Sequence, residues 1–127
     1  MRSRKPVPTE QELELLKIIW RRGEATVRDV YEELLEQRKI AYTTVMTMMG
    51  ILEEKGHLTK SQGEKAYVYR PTQPRSRVVG NMVADFLNRV FDGSAKPLLV
   101  HLVESDQLSK EEIKEIRQLL NRKERTQ

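Results

Sequence analysis

The sequence predicts a mainly α fold in which six helices are interrupted once by a β-hairpin, and three observations carry that prediction. A hydroxyl residue stands three positions ahead of an acidic one at Thr9-Glu12, Thr26-Asp29 and Ser109-Glu112. This is the spacing of a capping box, in which the two side chains satisfy backbone N–H groups at a helix start. Apolar residues then recur at steps of three and four, the period of a helix buried along one stripe. Only after Gly56 does the period change: Leu58 to Lys60 and Ala66 to Arg70 read as short strands around the turn Ser61-Gln62-Gly63-Glu64, and Pro71 ends the second.

The first helix opens at Thr9, turns Leu13, Leu16, Ile19 and Trp20 inward, and stops at Gly23. After a tight turn Thr26 opens the second, whose stripe is Val27, Val30, Tyr31, Leu34 and Leu35 and whose end lies near Lys39. The third begins around Ala41 to Thr43, buries Val45, Met48, Met49 and Leu52, and closes at Gly56, a residue that tolerates the positive φ found just past a helix end. Three helices followed by a hairpin is the order of a winged helix-turn-helix. Residues 1–74 are long enough to form such a module.

Pro74, with its φ already set for a helix start, opens a long fourth helix that ends at Asp92-Gly93. Its apolar side carries Val79, Val83, Phe86, Leu87 and Val90. Ser94 stands where it would cap a fifth helix bearing Leu98, Leu99, Leu102 and Val103, and the Ser109 box opens a sixth bearing Ile113, Ile116, Leu119 and Leu120. The charged end, Arg122-Lys123-Glu124-Arg125, is expected to fray. Three helices in residues 75–127 are too few to bury three apolar stripes against one another. The expected solution is a three-helix dimerisation arm that interlocks with a second copy about a twofold axis. Its interface would draw on Val83, Phe86, Leu87 and Val90, on Leu98, Leu99 and Leu102, and on Ile113, Ile116 and Leu120. Packing of the arm onto the winged helix of the same chain is the alternative.

Charge is unevenly spread. Residues 10–36 hold four basic groups against eight acidic ones, a balance of minus four, whereas residues 38–77 hold eight against three, plus five. Such a reversal suggests a polyanionic partner for the second block. The chain has no cysteine, so disulfides, zinc-thiolate sites and thiol nucleophiles are excluded. No apolar run approaches the roughly 20 residues of a membrane span, and the basic start lacks the apolar stretch of a signal peptide, so a cytoplasmic protein is expected. Neither a phosphate-binding glycine loop, nor metal-ligand spacing, nor a set of acid, base and nucleophile is present, so no enzyme, cofactor or metal is expected. His101, among Leu99, Val100, Leu102 and Val103, is expected to be buried or at an interface.

Helical spacing sorts the third helix into two faces. With Val45, Met48, Met49 and Leu52 inward, Thr43, Met46, Thr47 and Gly50 point outward together, and Thr44 adjoins them. Threonine suits a DNA major groove, because its hydroxyl bonds a phosphate or base edge while its methyl packs on a thymine methyl. No arginine or lysine lies on this face, so the commonest contact to guanine is unavailable from the helix body and thymine-biased reading is expected. Lys39 and Tyr42 before the helix, Lys55 at its end, and Lys60, Lys65 and Arg70 around the hairpin are placed to touch phosphates, and Arg4, with Arg2 and Lys5, would extend the set as a basic amino-terminal arm. Gly50 in a helix interior costs up to about 1 kcal/mol relative to alanine, which points either to close approach of a DNA backbone or to a packed neighbouring helix. Tyr69 is expected to pack within the hairpin, and Tyr67 is compatible with packing or with a sugar-phosphate contact.

The motifs Glu12-Leu13-Glu14-Leu15-Leu16-Lys17-Ile18-Ile19-Trp20, Ala41-Tyr42-Thr43-Thr44-Val45-Met46-Thr47, Leu52-Glu53-Glu54-Lys55-Gly56 and Ala66-Tyr67-Val68-Tyr69-Arg70-Pro71 together resemble the BlaI/MecI/CopY family of repressors. Phe91-Asp92-Gly93-Ser94, Leu102-Val103-Glu104 and Leu108-Ser109 extend the resemblance into the arm. The resemblance implies a homodimeric repressor that binds a palindromic operator and silences nearby genes until a signal removes it. In lactam-responsive members that signal is a membrane-bound sensor protease cutting an Asn-Phe bond in the fifth helix; the equivalent dipeptide here is His101-Leu102. Copper-responsive members use paired cysteines, which this chain lacks. A winged helix serving protein interaction rather than DNA is the competing reading.

Overall fold

The computed structural model describes residues 6–126 and orders them as α1 (Glu10–Arg22), α2 (Val27–Leu35), α3 (Tyr42–Glu54), β1 (Leu58–Gln62), β2 (Tyr67–Pro71), α4 (Arg75–Phe91), α5 (Ala95–Glu104) and α6 (Lys110–Arg125). The chain divides into two compact units with the boundary between Val83 and Ala84, inside α4.

In the first unit the caps form as the spacing requires. Thr9 Oγ1 accepts the Glu12 N–H at 3.2 Å while the Thr9 N–H donates to Glu12 Oε1 at 3.0 Å, and Thr26 and Asp29 repeat the arrangement at 3.1 and 3.0 Å. Gly23, at φ 89°, closes α1 by donating its N–H to the Ile19 carbonyl. Leu15, Leu16 and Ile19 of α1 are fully buried and meet Val45, Met49 and Leu52 of α3 in one core, to which α2 adds Val30 and Leu34. The buried stripe of α1 is wider than its three- and four-residue steps suggested: Leu15 and Ile18 join it, and Leu13 is only half-buried. The reason is that α1 packs against α2, α3 and β2, so it is enclosed on more than one side. Likewise α2 ends at Leu35 rather than near Lys39, its last turn tightening through bonds from Glu36 N–H to Glu33 and from Gln37 N–H to Leu34, and Leu35 is left exposed.

The hairpin pairs Leu58 with Pro71, Lys60 with Tyr69 and Gln62 with Tyr67. β1 therefore continues through Ser61 and Gln62, and the loop is shifted to residues 63–66. Gly63 donates its N–H to the Ala66 carbonyl at 2.9 Å, and a Cβ on Gly63 would lie 2.5 Å from that oxygen, so the loop closes only with glycine. Tyr69, buried as expected, also exchanges backbone bonds of 3.0 and 2.8 Å with Ala25, which ties the hairpin to the turn between α1 and α2. The Trp20 indole donates to the Gln73 carbonyl at 3.1 Å, and Val78 is buried at the start of α4.

In the second unit Asp92 and Gly93, at φ 52° and 85°, turn the chain after α4, and the rings of Phe86 and Phe91 meet edge to face at 5.8 Å. Ser94 occupies the cap position of α5 without a side-chain cap bond, whereas Ser109 and Glu112 complete their box. α6 runs helical to Arg125, through the charged end. No described residue of this unit is buried. Leu99, Val103, Leu108, Ile113, Ile116 and Leu120 line an apolar cleft between α5 and α6. His101 is exposed within this chain rather than buried. None of the described helices is long and apolar enough to cross a membrane.

Candidate nucleic-acid interface

The two faces of α3 are sharply different. Val45, Met48, Met49 and Leu52 are buried, while Thr43, Thr44, Met46 and Thr47 are exposed and Gly50 is half-buried. Ala41 begins the helix in an extended conformation and offers no side-chain cap; its carbonyl accepts the N–H groups of Thr44 and Val45. Among the described residues no hydrogen bond engages the hydroxyls of Thr43, Thr44 or Thr47, so the face presents three donor-acceptor groups around Met46, a residue 48% exposed. A Cβ built on Gly50 meets nothing within 4 Å, so no neighbouring helix accounts for the glycine. Tyr42, in the first turn, sits edge-on to Tyr31 at 5.3 Å, and the Arg28 guanidinium lies 5.2 Å from the Tyr42 ring centre.

The cations of the basic block fall into two groups. Lys55 donates to Glu12 Oε1 at 2.7 Å and Arg38 to Glu14 at 2.8 Å, Arg70 is ion-paired with Glu24 at 2.7 Å, and Lys60 lies 3.6 Å from Glu53 and 4.5 Å from the centre of the Tyr67 ring. Part of the charge reversal along the sequence is thus paired within the fold. Lys39 and Lys65 are exposed, and among the described residues no ion pair engages them. Arg4 lies outside the described residues.

Burial alone would raise the Glu12 carboxyl above its ordinary range, but the Lys55 ammonium, the Thr9 N–H and the nearby His57 outweigh it and hold the carboxyl low. His57, to which the sequence assigns no role, is buried, with its Nε2 2.6 Å from the Pro6 carbonyl.

An open groove separates the hairpin from the starts of α2 and α3. Arg28, Tyr42, Met46, Lys65, Ala66 and Tyr67 line it together with Thr26, Val27 and Tyr69, and no carboxylate is among the lining residues. Tyr67, which spacing left open between packing and a sugar-phosphate contact, borders this groove, whereas spacing gives no sign of Arg28, whose place depends on how α2 meets α3. The described residues bring no three His, Asp or Glu side chains together as a metal site.

Comparison with known proteins adds to this geometry. The family model described as penicillinase repressor matches residues 8–122. The penicillinase repressor of Bacillus licheniformis is 32% identical over 115 residues, covering 91% of this chain and 90% of that one. The methicillin resistance regulatory protein MecI of Mammaliicoccus sciuri is 30% identical over 112 residues, 88% of this chain and 91% of that one. Among solved structures, the DNA-binding domain of the repressor BlaI aligns with a TM-score of 0.53 at 28% identity, covering 59% of this chain and 92% of that one. The monomeric form of B. licheniformis BlaI in complex with the blaP half-operator aligns with a TM-score of 0.51 at 29% identity, covering 57% and 89%.

Proposed function

This chain belongs to the penicillinase repressor family, a family of DNA-binding transcriptional repressors, and we propose that it works as a homodimer on a pseudopalindromic operator. In this reading residues 1–74 grip the DNA and residues 75–127 make the dimer. The observation that carries it is the outward face of α3: Thr43, Met46 and Thr47 stand exposed together on a helix whose opposite face is locked into the core, and a relative with the same fold is solved on a half-operator. Such a helix enters the major groove and reads thymine methyls and base edges. Lys39 and Lys65 supply phosphate contacts and Thr44 and Tyr42 flank the reading face; Lys55 and Lys60 carry acidic partners, which directs them toward holding the fold and the hairpin. The apolar cleft of α5 and α6 faces its twin in the second copy, because apolar side chains this exposed gain most from mutual burial. A sensor protease acting on α5 would meet the exposed His101 and the half-buried Leu102.

The test is retention of duplex DNA carrying the promoter of the protein's own gene, measured across salt concentrations. Binding that weakens steeply with salt is expected from counterion release. A chain that retains no duplex at any salt would instead fit the protein-interaction reading. Sedimentation of the full chain tests the dimer.

A further inference from the structure

We propose that the groove between the hairpin and the starts of α2 and α3 receives one sugar-phosphate strand of the duplex, with Arg28 as a phosphate ligand and Tyr67 as the wall on which deoxyribose packs. The proposal rests on the reading that the chain binds DNA, and it assigns two residues outside the face of α3.

Charge complementarity names the occupant. Two cations, Arg28 and Lys65, border the groove from opposite sides, and no carboxylate lines it. The lining also holds Met46 and Tyr67, residues that are 48% and 49% exposed and carry a thioether and an aromatic ring. A phosphodiester strand has this alternation, an anionic phosphate followed by a weakly polar sugar, whereas an acidic peptide would leave the apolar walls without a partner.

The groove also lies beside the reading face, since Met46 and Tyr42 of α3 belong to its lining. A strand seated there therefore borders the same stretch of duplex that α3 reads.

Arg28 is prepared for the role. Its guanidinium lies over the Tyr42 ring and 3.8 Å from Glu32, one turn along α2, and its side chain is 64% exposed. Stacking on an aromatic face holds a guanidinium in a defined plane while leaving its edge N–H groups for an anion. Tyr67 is held in turn. It shares the inward side of the hairpin with the buried Tyr69, in the register Gln62 to Tyr67 and Lys60 to Tyr69, and Lys60 caps its ring from the neighbouring strand. Lys60 thereby stiffens the wall instead of serving as the phosphate ligand.

The experiment measures the affinity of the full-length chain for one operator duplex and one unrelated duplex over a range of salt concentrations. The chains compared are the unsubstituted one, Arg28→Gln, Arg28→Lys, Tyr67→Ala and, as a surface control, Lys17→Gln; thermal melting confirms that each is folded. Arg28→Gln is expected to weaken both duplexes alike, several-fold near physiological salt, and to lower the slope of log affinity against log salt by about one. Arg28→Lys should keep the slope, Tyr67→Ala should weaken binding several-fold without changing it, and Lys17→Gln should change neither. An Arg28→Gln slope equal to the unsubstituted one overturns the proposal. So does a loss confined to the operator, which would place Arg28 on a base edge, or full affinity in Tyr67→Ala. Failure of the unsubstituted chain to bind either duplex overturns the DNA reading itself.

Discussion

Replacing Lys55 by methionine separates a cation that holds the fold from one that holds DNA. Glu12 Oε1 accepts both the Lys55 ammonium at 2.7 Å and the Thr9 N–H at 3.0 Å, so one oxygen joins the start of α1 to the end of α3. Breaking a fully buried pair costs about 3–5 kcal/mol. The Glu12 side chain is 8% exposed, but that of Lys55 is 24%, so water screens the pair and roughly 1–3 kcal/mol is the expected loss for Lys55→Met. At roughly 4 °C per kcal/mol this lowers the melting temperature by about 4–12 °C. Glu12→Gln should cost less, because its amide oxygen still accepts the Thr9 N–H, and the double variant should recover about 1 kcal/mol of the summed loss.

Acid sharpens the test. The Glu12 carboxyl is held below its ordinary value of 4.5 in the fold, so its contribution to stability is present above that value and is lost as the pH falls through the lower folded one. Glu12→Gln should therefore show a flatter stability profile than the unsubstituted chain as the pH falls below 4.5. The assay is urea unfolding followed by circular dichroism at several pH values. A Lys55→Met loss below about 0.5 kcal/mol, or an acid profile of Glu12→Gln that matches the unsubstituted chain, would refute the reasoning. A fall of about one in the salt slope of DNA binding would move Lys55 to the phosphates.

Other expectations can be checked with the same preparations. Met49 is fully buried at the centre of the core, so Met49→Ala should cost about 2–5 kcal/mol by urea unfolding. Gly50→Ala should stabilise α3 by up to about 1 kcal/mol, since its new methyl meets open space, while weakening duplex binding if DNA backbone comes close there; raised stability with unchanged affinity would remove Gly50 from the interface. Thr43→Ala or Thr47→Ala should relax sequence preference in a binding-site selection, whereas Lys65→Ala should weaken all duplexes alike, and the reverse pattern would mean that another face of α3 reads the DNA. Leu120, 55% exposed in the single chain, should tolerate Leu120→Asp with little loss of helicity but lose the dimer by sedimentation; an unchanged sedimentation coefficient would place the interface elsewhere.

The helix starts, the division of α3 into two faces and the hairpin could be read before any coordinates, because each depends on residues within a few positions of one another. A capping box is a contact across three residues, and a buried stripe repeats with the helix itself. What spacing misjudged was enclosure. Leu15 and Ile18 are buried because β2 and two helices surround α1, and Leu35 is exposed because α2 ends beneath it. The Ala25 to Tyr69 bridge has no signature at all, since one residue on each side makes it.

The same division runs through the interface. Thr43, Met46 and Thr47 share a face by helical geometry, which is local and therefore written in the order of residues. The fate of each cation is not local: Glu12 lies 43 positions from Lys55, and Tyr67 and Glu53 reach Lys60 from a neighbouring strand and from α3. Net charge along a chain counts cations without saying which are neutralised by partners distant in sequence. Packing selects those partners, leaving Lys39 and Lys65 without an ion pair among the described residues and laying Arg28 over Tyr42 at the edge of a groove.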